Sequence, residues 1–244
     1  MTQQLVVNGC SYMEAYAFGQ GQHDLAERLN IRTASGAPNS YSLAIGGSAN
    51  SRILRTTLKH SYNPGANTLY VLGMTFVSRE ELPILDDRDL FEGRWSNPQN
   101  QQFSNRWKPG WTQEDTKRYV ELKLKWEVDS ILDRAEDLMY RMIATASDIQ
   151  KRGHQIIMFQ QADDLYQELL EHPRLALFKN NPVFVQNFKW RAVPWQHSQG
   201  VPKMQYGPDQ ANHVPDEIAH RLPGHHQLLN QYLTNYIQEY KILQ

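Results

Sequence analysis

Cysteine is nearly absent from this sequence. The single one, Cys10, excludes an intrachain disulfide framework and any zinc ribbon or finger built on cysteine pairs. Charge imbalance is absent too: 25 Lys+Arg face 26 Asp+Glu, a formal net charge of −1. That balance argues against a strongly basic nucleic-acid binder and against an acidic solvating tail, so no nucleic-acid partner is expected. No apolar run approaches the ~20 residues that a membrane-spanning helix needs. The opening Met1-Thr2-Gln3-Gln4 lacks the basic segment and apolar core of a signal peptide. The expectation is therefore a protein without a membrane span, cytoplasmic by default. Internal repeats and low-complexity tracts are missing as well. What is there is a soluble globular composition, with 40% hydrophobic residues and mean hydropathy −0.64 over 244 residues. A chain of that length forms one large domain that buries roughly 70–75% of its unfolded surface without a disulfide or metal staple.

Short apolar runs closed by glycine set the organisation. Leu5-Val6-Val7, stopped by Asn8-Gly9, reads as a buried strand. Residues 24–29 have helical spacing, with Leu25 and Leu29 four apart. A second strand is expected over 41–45, closed by Gly46-Gly47, and a third over 68–72, closed by Gly73. Between them, 50–60 reads as a helix with Ile53, Leu54, Thr57 and Leu58 on one face. The clearest helix spans 113–152. Thr112 is its N-cap, Asp115 a weak capping-box partner and Gly153 its stop. Its length suggests a bend or break, and Leu122, Trp126, Ile131, Leu138 and Met142 suit a buried stripe. A fourth strand is expected over 154–159 and a last helix over 224–241. Two stretches interrupt this alternation: an irregular insertion over 83–112, and a Pro- and aromatic-rich surface excursion over 172–215 with a fifth strand near 183–185. Strands alternating with helices indicate a parallel sheet covered on both faces.

In such a sheet ligands bind at the carboxyl ends of the strands. Three strand ends carry marked segments: Asn8-Gly9-Cys10-Ser11-Tyr12, Gly46-Gly47-Ser48-Ala49-Asn50 and Gly73-Met74-Thr75. A fourth marked segment, Asp216-Glu217-Ile218-Ala219-His220, lies near the C-terminus and is followed by His225-His226. Ser11, beside a glycine on a tight strand-to-helix turn, is either a helix N-cap or an exposed nucleophile, and the two roles are compatible. Cys10 is the other nucleophile in reach, but a lone cysteine is more often a small buried hydrophobe. A serine nucleophile needs a base, and the base needs a carboxylate to hold its tautomer. His220 with Asp216 or Glu217 offers both. His213, His220, His225 and His226 also invite a metal reading. Adjacent histidines on a helix point to different sides, so the four cannot all converge, and no metal or other cofactor is expected. Arg52, Arg55 and Arg79 lie near the strand ends, and Arg52 and Arg79 are candidates for holding an anionic substrate group. The six tryptophans, Trp95, Trp107, Trp111, Trp126, Trp190 and Trp195, either anchor the long loops or line a pocket.

Taken together these segments resemble the blocks of the SGNH hydrolases, the GDSL lipase/esterase superfamily. Gly9-Cys10-Ser11 is similar to the Gly-Asp-Ser block, with Cys in place of Asp. Gly47 matches the oxyanion-hole glycine of the second block. The third block, normally Gly-x-Asn-Asp, reads Gly73-Met74-Thr75-Phe76, so Thr75 stands where the oxyanion asparagine would be. His220 matches the catalytic histidine of the Asp-x-x-His block, and His226 the later structural one. Residues 83–150 match nothing in the family. The segment Gly47-Ser48-Ala49-Asn50-Ser51-Arg52 with Gly73-Met74-Thr75 and Ser78-Arg79 resembles a divergent branch associated with phage and marine bacterial genomes. The resemblance implies a three-layer α/β/α domain with a flavodoxin-like parallel sheet. It implies a serine esterase acting on a small-molecule or carbohydrate ester, with an O-acyl group on a carbohydrate as the expected kind. Ser11 would attack, His220 would act as base and Glu217 or Asp216 would orient it. The Ser11 N–H, Gly47 and Asn50 or Thr75 would line the oxyanion hole. The missing asparagine equally suits a binding or assembly protein, virion-associated in such a branch, that keeps the fold with an eroded site.

Overall fold

The computed structural model describes residues 3–46, 48–75, 77, 80–81, 95–96, 113–160, 171–183, 188–189 and 223–243. Strands β1 (Gln4–Gly9), β2 (Ser40–Ser42) and β3 (Thr68–Met74) alternate with helices α1 (Ser11–Phe18), α2 (Gly21–Arg28) and α3 (Asn50–Ser61). A short antiparallel pair follows, β4 (Glu80–Glu81) with β5 (Trp95–Ser96). Then come α4 (Gln113–Lys151), β6 (Gln155–Gln160), a 3-10 helix (Ala176–Asn180), β7 (Phe188–Lys189) and α5 (Pro223–Glu239). The main sheet has five strands in the order β2-β1-β3-β6-β7, and every pairing in it is parallel. Numbered within that sheet alone the order is 2-1-3-4-5, the flavodoxin-like order, with its switch point between β1 and β3.

The period of two along the strands sorts the core into two layers. Val6, Tyr70, Leu72, Met74, Ile156 and Met158 face Ile53 and Leu54 of α3 and Ala135, Met139, Met142 and Ile149 of α4. Leu5, Val7, Leu69, Val71, Ile157 and Phe159 face Met13 and Tyr16 of α1, Leu25 of α2 and Leu229, Leu233 and Ile237 of α5. The fold is therefore a three-layer α/β/α arrangement around a parallel sheet. No helix among the described residues is long and apolar enough to cross a membrane.

Three helices end in the same way. The N–H of Asn30 bonds to the Glu27 carbonyl and that of Ile31 to the Ala26 carbonyl. Gly153 and His154 do the same with Gln150 and Ile149, as do Lys241 and Ile242 with Gln238 and Ile237. Each is a two-bond C-terminal cap with a positive-φ residue just past the helix. Gly153 is thus the stop that the sequence indicates, and α4 is continuous over 39 residues with no break.

Several expectations shift. The helix expected to open at the Ser11 turn runs over Ser11–Phe18, an extent that the sequence did not indicate. The third strand runs through Gly73, and a fifth strand of the main sheet lies at Phe188–Lys189, while residues 184 and 185 of the one expected near 183–185 lie outside the described residues. Within the stretch read as irregular, Trp95–Ser96 pairs with Glu80–Glu81, and the rest of 83–112 lies outside the described residues. Residues 172–215 are not wholly a surface excursion, because Leu175 and Phe178 are buried against the α3/α4 layer. Leu122 is 63% exposed and so leaves the expected stripe, whereas Leu138 and Met142 are buried. The side chains of Trp126 and Ile131 lie outside the described residues.

Candidate active site

The marked segments leave the sheet side by side. Gly9 and Gly73 are register partners on β1 and β3, and the Ile45 N–H, beyond β2, bonds to the Gly9 carbonyl at 3.3 Å. Residues 10–12, 46, 48–50 and 75 therefore emerge at one edge, the carboxyl edge, on either side of the switch point. Parallel register, not sequence proximity, brings them together.

Ser11 is the first residue of α1. The first helical bond of α1 runs from the Glu14 N–H to the Cys10 carbonyl at 3.0 Å. Cys10, fully buried, thus holds the N-cap position, which corrects the reading of Ser11 as the cap. The N–H groups of residues 11–13 precede that bond and have no acceptor within the helix, so α1 directs backbone donors and the positive end of its dipole toward the edge. The Ser11 side chain lies outside the described residues, as do Gly47, Arg79, Asp216, Glu217 and His220.

Asn50 and Thr75 meet. The Thr75 N–H donates to Asn50 Oδ1 at 2.8 Å, and Asn50 Nδ2 donates to the Thr75 carbonyl at 2.9 Å. The side-chain amide of α3 thus pairs with the backbone just past β3 as a strand partner would. Asn50 is 3% exposed and Thr75 fully buried. Asn50 accordingly clamps the end of β3. The Thr75 N–H is thereby engaged.

Arg52 differs from expectation. It is 3% exposed, and its guanidinium donates to Ser48 Oγ at 3.1 Å and to the Leu43 carbonyl at 3.4 Å. Ser48 Oγ in turn donates to the Ile45 carbonyl at 2.6 Å. Arg52 therefore braces the 43–48 loop from inside and does not stand at the surface awaiting an anion.

Sequence reasoning assigned no role to Asn8. Its side chain is wholly buried between β1 and α3, where Nδ2 lies 2.8 Å from Thr57 Oγ1, 2.9 Å from Thr56 Oγ1 and 3.0 Å from the Ile53 carbonyl. Its Oδ1 accepts the Gly9 N–H at 2.8 Å. The available signal was an amide two residues after Val6, hence on the same inward face of a β-branched run.

A second buried polar group joins α1 and α2 to α5. The Tyr16 hydroxyl lies 2.7 Å from the Gly21 carbonyl and 2.5 Å from Asn230 Oδ1, and Asn230 Nδ2 donates to the same Gly21 carbonyl at 3.2 Å. Burial, and secondarily the Asp24 carboxylate, holds the Tyr16 phenol well above its ordinary pKa. His226, in the first turn of α5, is buried edge-on to the Tyr16 ring at 5.5 Å. This contact sets the start of α5 against the helix that begins at Ser11. Groups of three or more side chains suited to holding a metal ion are absent among the described residues.

A scan of protein-family models finds none that matches the chain, and a search of curated proteins finds no match.

Proposed function

We propose that the chain is a serine ester hydrolase of the SGNH kind, acting on a small or carbohydrate-borne O-acyl ester. The observation that carries this reading is the placement of Ser11 at the start of α1, beside the switch point, with residues 48–50 and Thr75 at the same edge. Ser11 Oγ attacks the ester carbonyl while His220 accepts its proton. Glu217 or Asp216 holds the imidazole in the right tautomer and stabilises the imidazolium that forms. The tetrahedral oxyanion is received by the Ser11 N–H at the start of α1, with Gly47 and the Thr75 hydroxyl as the remaining donors. His220 then returns its proton to the leaving alkoxide, and water repeats the cycle on the acyl-serine. Asn50 acts by fixing Thr75. Arg79 remains the candidate for an anionic group on the substrate. The burial of His226 against Tyr16 supports this reading, since a structural histidine six residues after the catalytic one is part of the resemblance.

One observation favours a rival. Asn50 and Thr75, two of the residues expected to bind the oxyanion, are buried and bonded to each other. That suits a binding or assembly protein, virion-associated or otherwise, that retains the architecture without turnover. A panel of p-nitrophenyl esters separates the two. The hydrolase reading expects measurable turnover and a loss of at least about 1,000-fold in kcat for Ser11→Ala, with the fold intact. No turnover of any ester by the wild type establishes the rival, whereas equal turnover by the variant removes Ser11 from the role of nucleophile.

A further inference from the structure

We infer that Asn8 is a positioning residue for the Ser11 turn, held in place by the hydroxyls of Thr56 and Thr57 on α3. This inference rests on the hydrolase reading above. It starts from a count of hydrogens. Thr57 Oγ1 donates to the Ile53 carbonyl at 2.8 Å, and Thr56 Oγ1 donates to the Arg52 carbonyl at 2.8 Å. Both hydroxyl hydrogens are thereby committed to the helix, and both oxygens are left as acceptors. Asn8 Nδ2 carries two hydrogens and faces three acceptors, these two oxygens at 2.8 and 2.9 Å and the Ile53 carbonyl at 3.0 Å. The carbonyl end of the amide then has one orientation, toward the Gly9 N–H. A network with every member satisfied is rigid, and a buried amide in it resists rotation because each alternative strands a polar atom.

The consequence falls on the turn. The Gly9 carbonyl takes the Ile45 N–H from the β2 side. In a parallel strand the N–H of a residue points to the same side as its carbonyl, so the Gly9 N–H would also look toward β2. Asn8 Oδ1 takes it instead. The ladder with β2 therefore stops at Gly9, and the chain turns into α1 within two residues. Helix α3 also fixes the neighbouring strand ends: Asn50 holds Thr75, and Arg52 with Ser48 holds the loop after β2. Asn50, Ile53 and Thr57 are spaced i, i+3 and i+7, on one inward face. That face carries two buried polar groups, Asn50 and Thr57, beside the apolar Ile53, whereas an inner helix face is ordinarily apolar throughout. Buried polar groups are costly unless fully bonded. Their presence on α3 fits a device that sets the nucleophile turn and the Thr75 segment at a fixed spacing.

The test uses the full chain, p-nitrophenyl acetate as substrate and a fluorophosphonate that labels an activated serine. Asn8→Leu removes the amide directly, but its buried gap can unfold the chain, so Thr57→Val is the decisive variant. It keeps the shape, removes the acceptor nearest to Nδ2 and leaves Thr56 and the Ile53 carbonyl in place. The inference expects Thr57→Val to lower kcat and the rate of Ser11 labelling by about 10-fold or more with KM unchanged, since a misplacement of about 1 Å can cost about 100-fold. Thr57→Ser, which restores the hydroxyl, returns both rates to those of the wild type. A Thr57→Val protein that melts earlier yet keeps wild-type kcat and labelling overturns the inference while leaving the hydrolase reading intact. A wild type that neither turns over ester nor labels at Ser11 overturns both.

Discussion

At Gly9 the missing side chain is what lets α1 begin where it does. A Cβ built there stands 2.5 Å from Met13 Cγ, 2.7 Å from Met13 Cβ and 3.0 Å from the Gly73 carbonyl. The contact with Cβ matters most, because it survives truncation of Met13 to alanine. Gly9→Ala therefore drives α1 away from β1 and is expected to destabilise the fold by about 1–3 kcal/mol, the usual cost of overpacking. Urea titration of the single variant and of Gly9→Ala/Met13→Ala checks this. Full recovery of stability in the double variant contradicts the geometry, since the clash is with a backbone-proximal atom. The residues of this turn were partly legible in the sequence. Gly9 and Ser11 stand out because a glycine stopping an apolar run and a serine opening a helix are local signals. Asn8 does not stand out, because its partners Ile53, Thr56 and Thr57 are more than 40 positions away and only the packed sheet brings them to it.

Among the elements, α3, α4 and α5 were readable along their length, whereas of α1 only the opening turn at Ser11 was, for reasons that lie in their surfaces. Helices α3 and α5 bury one stripe, and the stripe repeats in the sequence. Helix α1 carries Met13 and Tyr16 toward the core but Phe18 at its exposed end, so its apolar residues do not trace one face. The edge strand β2 is three residues long with Tyr41 exposed, and its partial burial blurred its bounds. Helix α4 is the opposite case, with a clear stop and a long periodic run, yet its two halves differ. Met139 is fully buried against the sheet whereas Leu122 is exposed. Met139→Ala is expected to cost about 2–5 kcal/mol as a cavity opens in the α3/α4 layer. Leu122→Ser is expected to change stability by no more than about 0.5 kcal/mol. Chemical denaturation of both variants decides the matter, and a large loss at Leu122 means that the N-terminal half of α4 is covered in the folded protein.

On the scale of the whole molecule, the alternation of strands and helices foretold a parallel sheet with two helical layers. The order of its strands is set by long-range register, such as Gly9 beside Gly73 and Gly73 beside Phe159. The candidate site gathers at the carboxyl edge of that sheet, while the opposite edge holds an unrelated histidine cluster. His60, at the end of α3, stacks on Tyr41 of β2, and its Nδ1 is 2.9 Å from the Tyr70 hydroxyl of β3. His154, just before β6, stands edge-on to Tyr70, and its Nδ1 accepts the Thr68 N–H at 3.3 Å. Burial lowers the pKa of His60, and the neighbouring His154 lowers it further. Burial also lowers that of His154, with a hydrogen bond to the Ser61 backbone opposing the shift and the Arg152 guanidinium reinforcing it. Burial pushes the Tyr70 phenol up to about 12, so it stays neutral throughout. The sign follows from proton counts. Both imidazoles bind protons less readily folded than unfolded, where the pKa is about 6.5. Their contribution to stability is complete above that value, declines as pH falls through it, and stops declining once the pH is below the folded values. Protonation of His154 at Nδ1 also removes the acceptor of the first N–H of β3. The thermal midpoint is therefore expected to fall as the pH is lowered from 7.5 through 6.5. Replacing the pair, as in His60→Phe/His154→Gln, should flatten that fall relative to the wild type. Calorimetry across the pH series provides the comparison, and a slope in the double variant as steep as that of the wild type assigns the titration to other histidines of the chain.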